Sequence, residues 1–167
     1  MKYCPECRAE LVERDIDDAE RACCPNEECG YIFWNNPTPV VAALVKYNQH
    51  YVIARNSQWP AGIFSLITGF LESGESPEEG IIREVKEELG LNGRINRFLG
   101  LHSYHEANQL IIAFEVEATG KVSTNHEIVE TMQLSANELE QYDFHPLYIT
   151  ENIITQWQNL VKNENQE

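Results

Sequence analysis

The chain has 167 residues, of which 43% are hydrophobic, and a formal net charge of −15. That length fits one ordinary domain with a sizeable core and room for a small appendage. So negative a surface repels DNA, RNA and anionic lipid unless a basic patch offsets it, and none is visible; no run approaches a membrane span and Met1-Lys2-Tyr3-Cys4-Pro5 opens no secretory leader, so the expected setting is cytoplasmic, without nucleic-acid or membrane partners.

All five cysteines fall within the first thirty residues: Cys4, Cys7, Cys23, Cys24 and Cys29. Two thiol groups separated by a short hairpin-like stretch resemble a zinc ribbon, in which four sulfurs surround Zn²⁺ tetrahedrally. Cys-Pro opens each half, at Cys4-Pro5 and Cys24-Pro25, and this symmetry selects Cys4, Cys7, Cys24 and Cys29 as ligands of a structural Zn²⁺. The second pair has a gap of four residues instead of two, and Cys23 is either spare or a competitor of Cys24. Disulfides are disfavoured in a reducing cytosol. Residues 1–34 are assigned to the ribbon, which the metal would hold together for want of a core. Tyr31-Ile32-Phe33-Trp34 is an aromatic run suited to packing, and Asn35-Asn36-Pro37-Thr38-Pro39 is a short stiff linker. The main domain is assigned to residues 40–167.

Within it, residues 40–46 and 51–55 read as a hairpin with Asn48-Gln49-His50 in the turn. Residues 62–68 lead on as loop and strand. The stretch 77–89 reads as a helix: Ser76 caps it, Pro77 suits its first position, Glu78 and Glu79 sit in the positive first turn, and Gly90 stops it. Ile82, Val85 and Leu89 form the face expected to pack on a sheet. Glu84, Glu87 and Glu88, at i, i+3 and i+4, share another face, and their mutual repulsion calls for compensation. Hard divalent cations, Mg²⁺ or Mn²⁺, suit such carboxylates. Residues 93–104 and 109–118 read as strands, the second an apolar run suited to burial on both faces. Ser135 caps a short helix over 136–142, and a closing helix over 150–161 places Ile153, Ile154, Trp157, Leu160 and Val161 on one side. A polar tail, 162–167, is expected to fray.

The spacing Gly69-x5-Glu75-x7-Arg83-Glu84-Val85-x-Glu87-Glu88-x-Gly90-Leu91 resembles the Nudix box at every fixed position. The resemblance implies the α/β Nudix fold, a mixed β-sheet sandwiched between helices, here with a small N-terminal zinc ribbon. It implies Glu84, Glu87 and Glu88 as Mg²⁺ or Mn²⁺ ligands and Glu84 as a candidate to orient or deprotonate water. Glu75 is implied as a further metal-binding or helix-stabilising carboxylate, Arg83 as a partner of a box glutamate, and the Gly69 carbonyl as a metal contact. Many members place another metal-binding or base carboxylate in a later loop, which singles out Glu127 and, behind it, Glu130. Tyr104 and Trp59 are the candidate aromatics for stacking on a base.

Ribbon, linker and the run Ser65-Leu66-Ile67-Thr68-Gly69-Phe70 look like the zinc-ribbon branch that includes bacterial NADH pyrophosphatases. The specificity stretch of those enzymes is replaced here by His102-Ser103-Tyr104-His105-Glu106-Ala107-Asn108. The resemblance therefore implies hydrolysis of a diphosphate bond in a small-molecule nucleotide, with NADH, ADP-ribose and FAD equally open as substrates. It also implies a homodimer. The competing readings are a regulatory module that binds a nucleotide metabolite without cutting it, and an interaction scaffold built on the ribbon.

Overall fold

A computed structural model describes residues 1–164, which fall into two compact units, Met1–Pro37 and one that starts at Thr38. In the first, β1 (Val12–Ile16) and β2 (Ala19–Cys23) pair antiparallel, from Val12 opposite Cys23 to Ile16 opposite Ala19. Asp17 and Asp18 connect them, both at positive φ, as a tight hairpin turn requires. Trp34 departs from the expectation of a packed aromatic. It is 45% exposed and lies under the Arg21 guanidinium, 4.7 Å from its ring centroid.

The second unit is a mixed sheet of β3 (Thr38–Tyr47), β4 (His50–Asn56), β5 (Ile67–Phe70), β6 (Asn92–Tyr104), β7 (Gln109–Thr119) and β8 (Ile128–Leu134). Its order is β6-β7-β3-β4-β8, and β3 with β7 is the parallel pair. Along one side β3 pairs with β7 over its full length. Its other side is shared, with Val40–Ala43 taken by β5 and Val45–Tyr47 by β4. Alternation along these strands buries side chains on both faces. Val41, Ala43, Val45, Phe114 and Val116 meet Ile81, Val85 and Leu89 of α1 (Pro77–Leu89). On the opposite face Val40, Ala42, Leu44 and Ile53 meet Leu139 of α2 (Ala136–Gln141) and Ile153, Ile154 and Trp157 of α3 (Tyr148–Glu164). The sheet therefore lies between helices, the fold expected. Among the described residues no helix is long and apolar enough to cross a membrane.

Three local differences have physical causes. Ile81 is the fully buried isoleucine of α1, and Ile82 stands at the border of its apolar face. The apolar run of β7 contains Glu115, which is 3% exposed. Its two oxygens accept from Tyr51 Oη (3.2 Å), Trp157 Nε1 (3.2 Å) and Asn96 Nδ2 (2.6 Å), and the Arg97 guanidinium forms an ion pair with it at 3.4 Å, so a buried carboxylate is kept there by partners from several elements. Finally, α3 continues through Glu164, whose carboxylate takes a 2.7 Å bond from Arg97. The end of the tail expected to fray, residues 165–167, lies outside the described residues.

Candidate metal and diphosphate site

Helix α1 begins as its sequence dictates. Ser76 Oγ accepts from the Glu79 amide, the Glu79 carboxylate accepts from the Ser76 amide, and Gly90 closes the last turn at φ 70° with its N–H on Lys86 O. The helix packs its apolar side on the sheet and sends its acidic side along β5. Glu84 and Glu88, four residues apart, are buried there, whereas the Glu87 side chain remains 55% exposed. Glu84 lies so close to β5 that a Cβ at Gly69 would overlap its carboxylate, so the glycine is required by space alone.

Repulsion among these acids is relieved in part by the chain itself. Arg83 donates to Glu75 (2.7 and 3.1 Å), Glu84 (2.6 Å), Glu87 (3.2 Å) and the Phe70 carbonyl (3.2 Å). Arg83 holds Glu75 below the ordinary carboxylate range, helped by the Glu72 amide. Both Glu75 oxygens are thus engaged, and Glu75 serves here as the anchor of Arg83. Burial pushes Glu84 up despite that arginine. Glu88 gets no such help. Burial first, then the charges of Glu84, Glu127 and Glu87, push it up to about 8. Its Oε2 is buried without a hydrogen-bond partner among the described residues.

These groups open on a cleft of about 810 Å³. Gly69, Arg83, Glu84, Glu87 and Glu88 line one side, Asn125, His126 and Glu127 another, and Asn56, Ser57, Gln58 and Trp59 a third. The last two walls are tied together. The Ser57 amide donates to Glu127 O (2.7 Å), Asn125 Oδ1 accepts the Glu127 amide (2.9 Å), and Arg55 bridges the Trp59 carbonyl (3.4 Å) and the Glu130 carboxylate (3.1 Å). A β-bulge between Arg55 and Asn56 skips Val129 of β8, so that Glu130 pairs with Arg55 while Ile128 turns into the core beneath α1.

Of the aromatic candidates, Trp59 lines this cleft and Tyr104 does not; Tyr104 packs against the core under α3. Phe70, 61% exposed and beside Gly69, lines the cleft and was not singled out by sequence. Its position directly after the first box glycine was the available signal. Hard oxygen donors around a buried, unpartnered carboxylate oxygen fit a divalent cation such as Mg²⁺ or Mn²⁺.

In the N-terminal unit the Sγ atoms of Cys4, Cys7, Cys24 and Cys29 all lie within 4.8 Å of one another. Cys23 points elsewhere, its Sγ 3.5 Å from Val12 O. Each thiol pair ends in a left-handed residue, Arg8 (φ 66°) after Cys7 and Gly30 (φ 66°) after Cys29. Burial resists ionisation of Cys4, yet the Cys7 and Glu6 amides and the neighbouring thiols bring it down to about 7, while burial pushes Cys24 up to about 12. Four thiols this close shed their protons together only around a cation, and the set fits tetrahedral Zn²⁺.

Comparison with known proteins agrees with this architecture. A family profile described as NUDIX domain matches residues 36–154. A Pseudomonas aeruginosa protein described as NAD-capped RNA hydrolase NudC is 26% identical over 133 residues, which are 79% of this chain and 46% of that protein. A Mycobacterium tuberculosis protein of the same description is 43% identical over 63 residues, 38% of this chain and 20% of that one. The chain thus spans under half the length of these curated relatives. A crystal structure of a NUDIX hydrolase from Nitrosomonas europaea superposes with a TM-score of 0.79 at 23% identity, covering 92% of this chain and 89% of that one, which is a likeness of fold.

Proposed function

The chain belongs to the NUDIX domain family, and from that premise we propose that it hydrolyses the diphosphate linkage of a nucleoside diphosphate joined to a second moiety. Dinucleotides and nucleotide sugars such as NADH, ADP-ribose and FAD are the substrate class. One observation carries the reading: Glu88, buried with an oxygen unpartnered among the described residues, faces Glu84, Glu87 and Glu127 in a single cleft. An isolated acid of this kind is costly unless something positive joins it.

Mg²⁺ or Mn²⁺ held by Glu84, Glu87 and Glu88, beside the Gly69 carbonyl and Glu127, would neutralise the diphosphate and activate a water toward phosphorus. Glu84, on the cleft wall beside Glu87 and Glu88, is the first candidate to take the proton. Glu127 is the second candidate, on the facing wall of the cleft. Arg83 orients Glu84 through its 2.6 Å bond and keeps Glu87 nearby. Trp59 and Phe70 offer flat apolar surfaces on which a base can stack. Zn²⁺ held by Cys4, Cys7, Cys24 and Cys29 would serve structure alone, since four sulfurs leave no open position for a substrate.

The relatives described as NAD-capped RNA hydrolases add capped RNA to the candidates, and the charge of −15 weighs against an RNA body. The test is a substrate panel with Mg²⁺ or Mn²⁺: NADH, ADP-ribose, FAD, diadenosine polyphosphates, nucleoside triphosphates and NAD-capped RNA, scored for nucleoside monophosphate or phosphate released. Turnover of one diphosphate, lost in Glu84→Gln and Glu88→Gln, is expected. Near-full turnover in either variant removes these roles, and tight binding without turnover favours the regulatory reading.

A further inference from the structure

Glu127 reaches the cleft from a loop, and its side chain is exposed. Its place therefore depends on how the main chain around it is held. The Glu127 amide donates to Asn125 Oδ1 (2.9 Å), and the Glu127 carbonyl accepts from the Ser57 amide (2.7 Å). Asn125 Oδ1 also takes the Ile128 amide (3.3 Å), and Ile128 is buried at the start of β8. One side-chain oxygen thus binds the loop on both sides of the Glu127 carboxylate, a local bond for which asparagine is favoured in turns.

The same residue is joined to the acidic helix. The Asn125 main-chain amide donates to Glu88 O (3.4 Å), beside a shorter bond from the Ser123 amide to Leu89 O (2.8 Å). Gly90 permits this approach, since a Cβ there would stand 3.0 Å from Ser123 O. Glu88 and Glu127 are far apart in sequence, yet two hydrogen bonds through Asn125 connect their main chains. Across the cleft Glu127 faces Glu84, Glu87 and Glu88. Mg²⁺ takes oxygen at about 2.1 Å in near-octahedral geometry, so a small shift of Glu127 would remove it from a site shared with them.

We propose that Asn125 is a positioning residue, whose Oδ1 holds Glu127 so that the loop carboxylate and those of Glu84 and Glu88 meet one divalent cation. This role rests on the diphosphate hydrolysis proposed above, and Asn125 acts in it through Glu127. The test uses the full chain with Asn125→Ala, Asn125→Asp, Glu127→Gln and the double variant N125A/E127Q, with fold checked by circular dichroism. One readout is kcat and KM with Mg²⁺ on the diphosphate that the wild type cleaves best. The other is Mn²⁺ binding without substrate, followed by electron paramagnetic resonance.

Asn125→Ala is expected to lower kcat by about tenfold or more with little change in KM, and to weaken Mn²⁺ binding to a similar degree. Asn125→Asp keeps an oxygen acceptor in place and should recover most of both. Asn125→Ser should fall between them, and it stands in for Asn125→Ala if that variant does not fold. In the Glu127→Gln background Asn125→Ala should add little. Wild-type kcat and Mn²⁺ affinity in Asn125→Ala overturn the proposal, as does a full further loss in the Glu127→Gln background. So does a folded Asn125→Asp as impaired as Asn125→Ala, which would make the side-chain NH₂ a substrate contact. A wild type that binds Mn²⁺ yet cleaves no diphosphate removes the hydrolytic reading alone, and the Mn²⁺ measurements then decide the role of Asn125. A wild type that binds no Mn²⁺ overturns that role.

Discussion

Glu84 occupies the space that a side chain at residue 69 would fill: a Cβ on Gly69 would overlap its carboxylate. β5 and α1 approach so closely because the glycine has nothing to interpose. Gly69→Ala is therefore expected to push Glu84 out of line with Glu88. Overpacking of this kind costs about 1–3 kcal/mol, and the loss in kcat should be far larger, about 100-fold. Thermal denaturation and steady-state kinetics on the same preparation separate the two effects. Unchanged kcat would show that the position of Glu84 is immaterial.

Arg83 joins Glu75, Glu84, Glu87 and the Phe70 carbonyl. Arg83→Gln leaves buried Glu84 without its cation and frees Glu75. The expected cost is about 2 kcal/mol of stability, read by urea unfolding, together with lower kcat/KM. Arg83→Lys should recover little of either, because a point charge cannot serve four acceptors at once.

Glu88 makes the metal-free protein sensitive to pH. Burial raises it from 4.5 to about 8 in the folded chain. Between those values the folded state holds a proton that the unfolded state has lost, so stability falls as pH rises through this window and levels off above it. The full effect is on the order of a few kcal/mol. Glu75 and Glu79 are shifted downward, so their contribution is lost only as pH drops below 4.5. Melting curves in EDTA across the window should show the decline, and Glu88→Gln should flatten it. Added Mg²⁺ or Mn²⁺ should stabilise most at the alkaline end, where the carboxylate is ionised.

The thiol cluster predicts a sharp contrast between adjacent cysteines. Cys24→Ser should lower the zinc content of the purified protein and unfold the N-terminal unit, whereas Cys23→Ser should leave both intact. Elemental analysis with proton NMR of the two variants decides it. Equal loss from both would place Cys23 among the ligands.

For substrate binding, Trp59→Ala is expected to raise KM with a smaller change in kcat, as removal of a stacking contact worth about 1–3 kcal/mol would do. Tyr104→Phe should leave KM unchanged, because Tyr104 packs against the core under α3 and does not line the cleft.

Much of this was legible in the chain because it depends on local rules. Ser76, Pro77, Glu79 and Gly90 state where α1 begins and ends whatever surrounds them. The spacing of Glu84, Glu87 and Glu88 puts them on one face of any helix. The cysteine spacings and the Cys-Pro repeat single out four thiols of five. The hairpin of β3 and β4 and the alternation that buries both faces of the central strands follow from side-chain periodicity.

Tertiary structure decided what depends on residues far apart in sequence. Helix geometry alone cannot say that Glu88 is buried while Glu87 is exposed; that depends on how α1 rolls on the sheet, which made Ile81 the deeper isoleucine. Arg83 was expected to pair with one glutamate and meets three, because β5 and the loop between it and α1 fold back over the helix. Glu115 interrupts an apolar run yet remains in the core, since Asn96, Tyr51 and Trp157 arrive from three other elements to satisfy it. By sequence, Trp59 and Tyr104 are both aromatics able to stack on a base. Only the path of the chain sends one to the cleft and the other beneath a helix, because burial is a property of the assembled layers and periodicity a property of one segment.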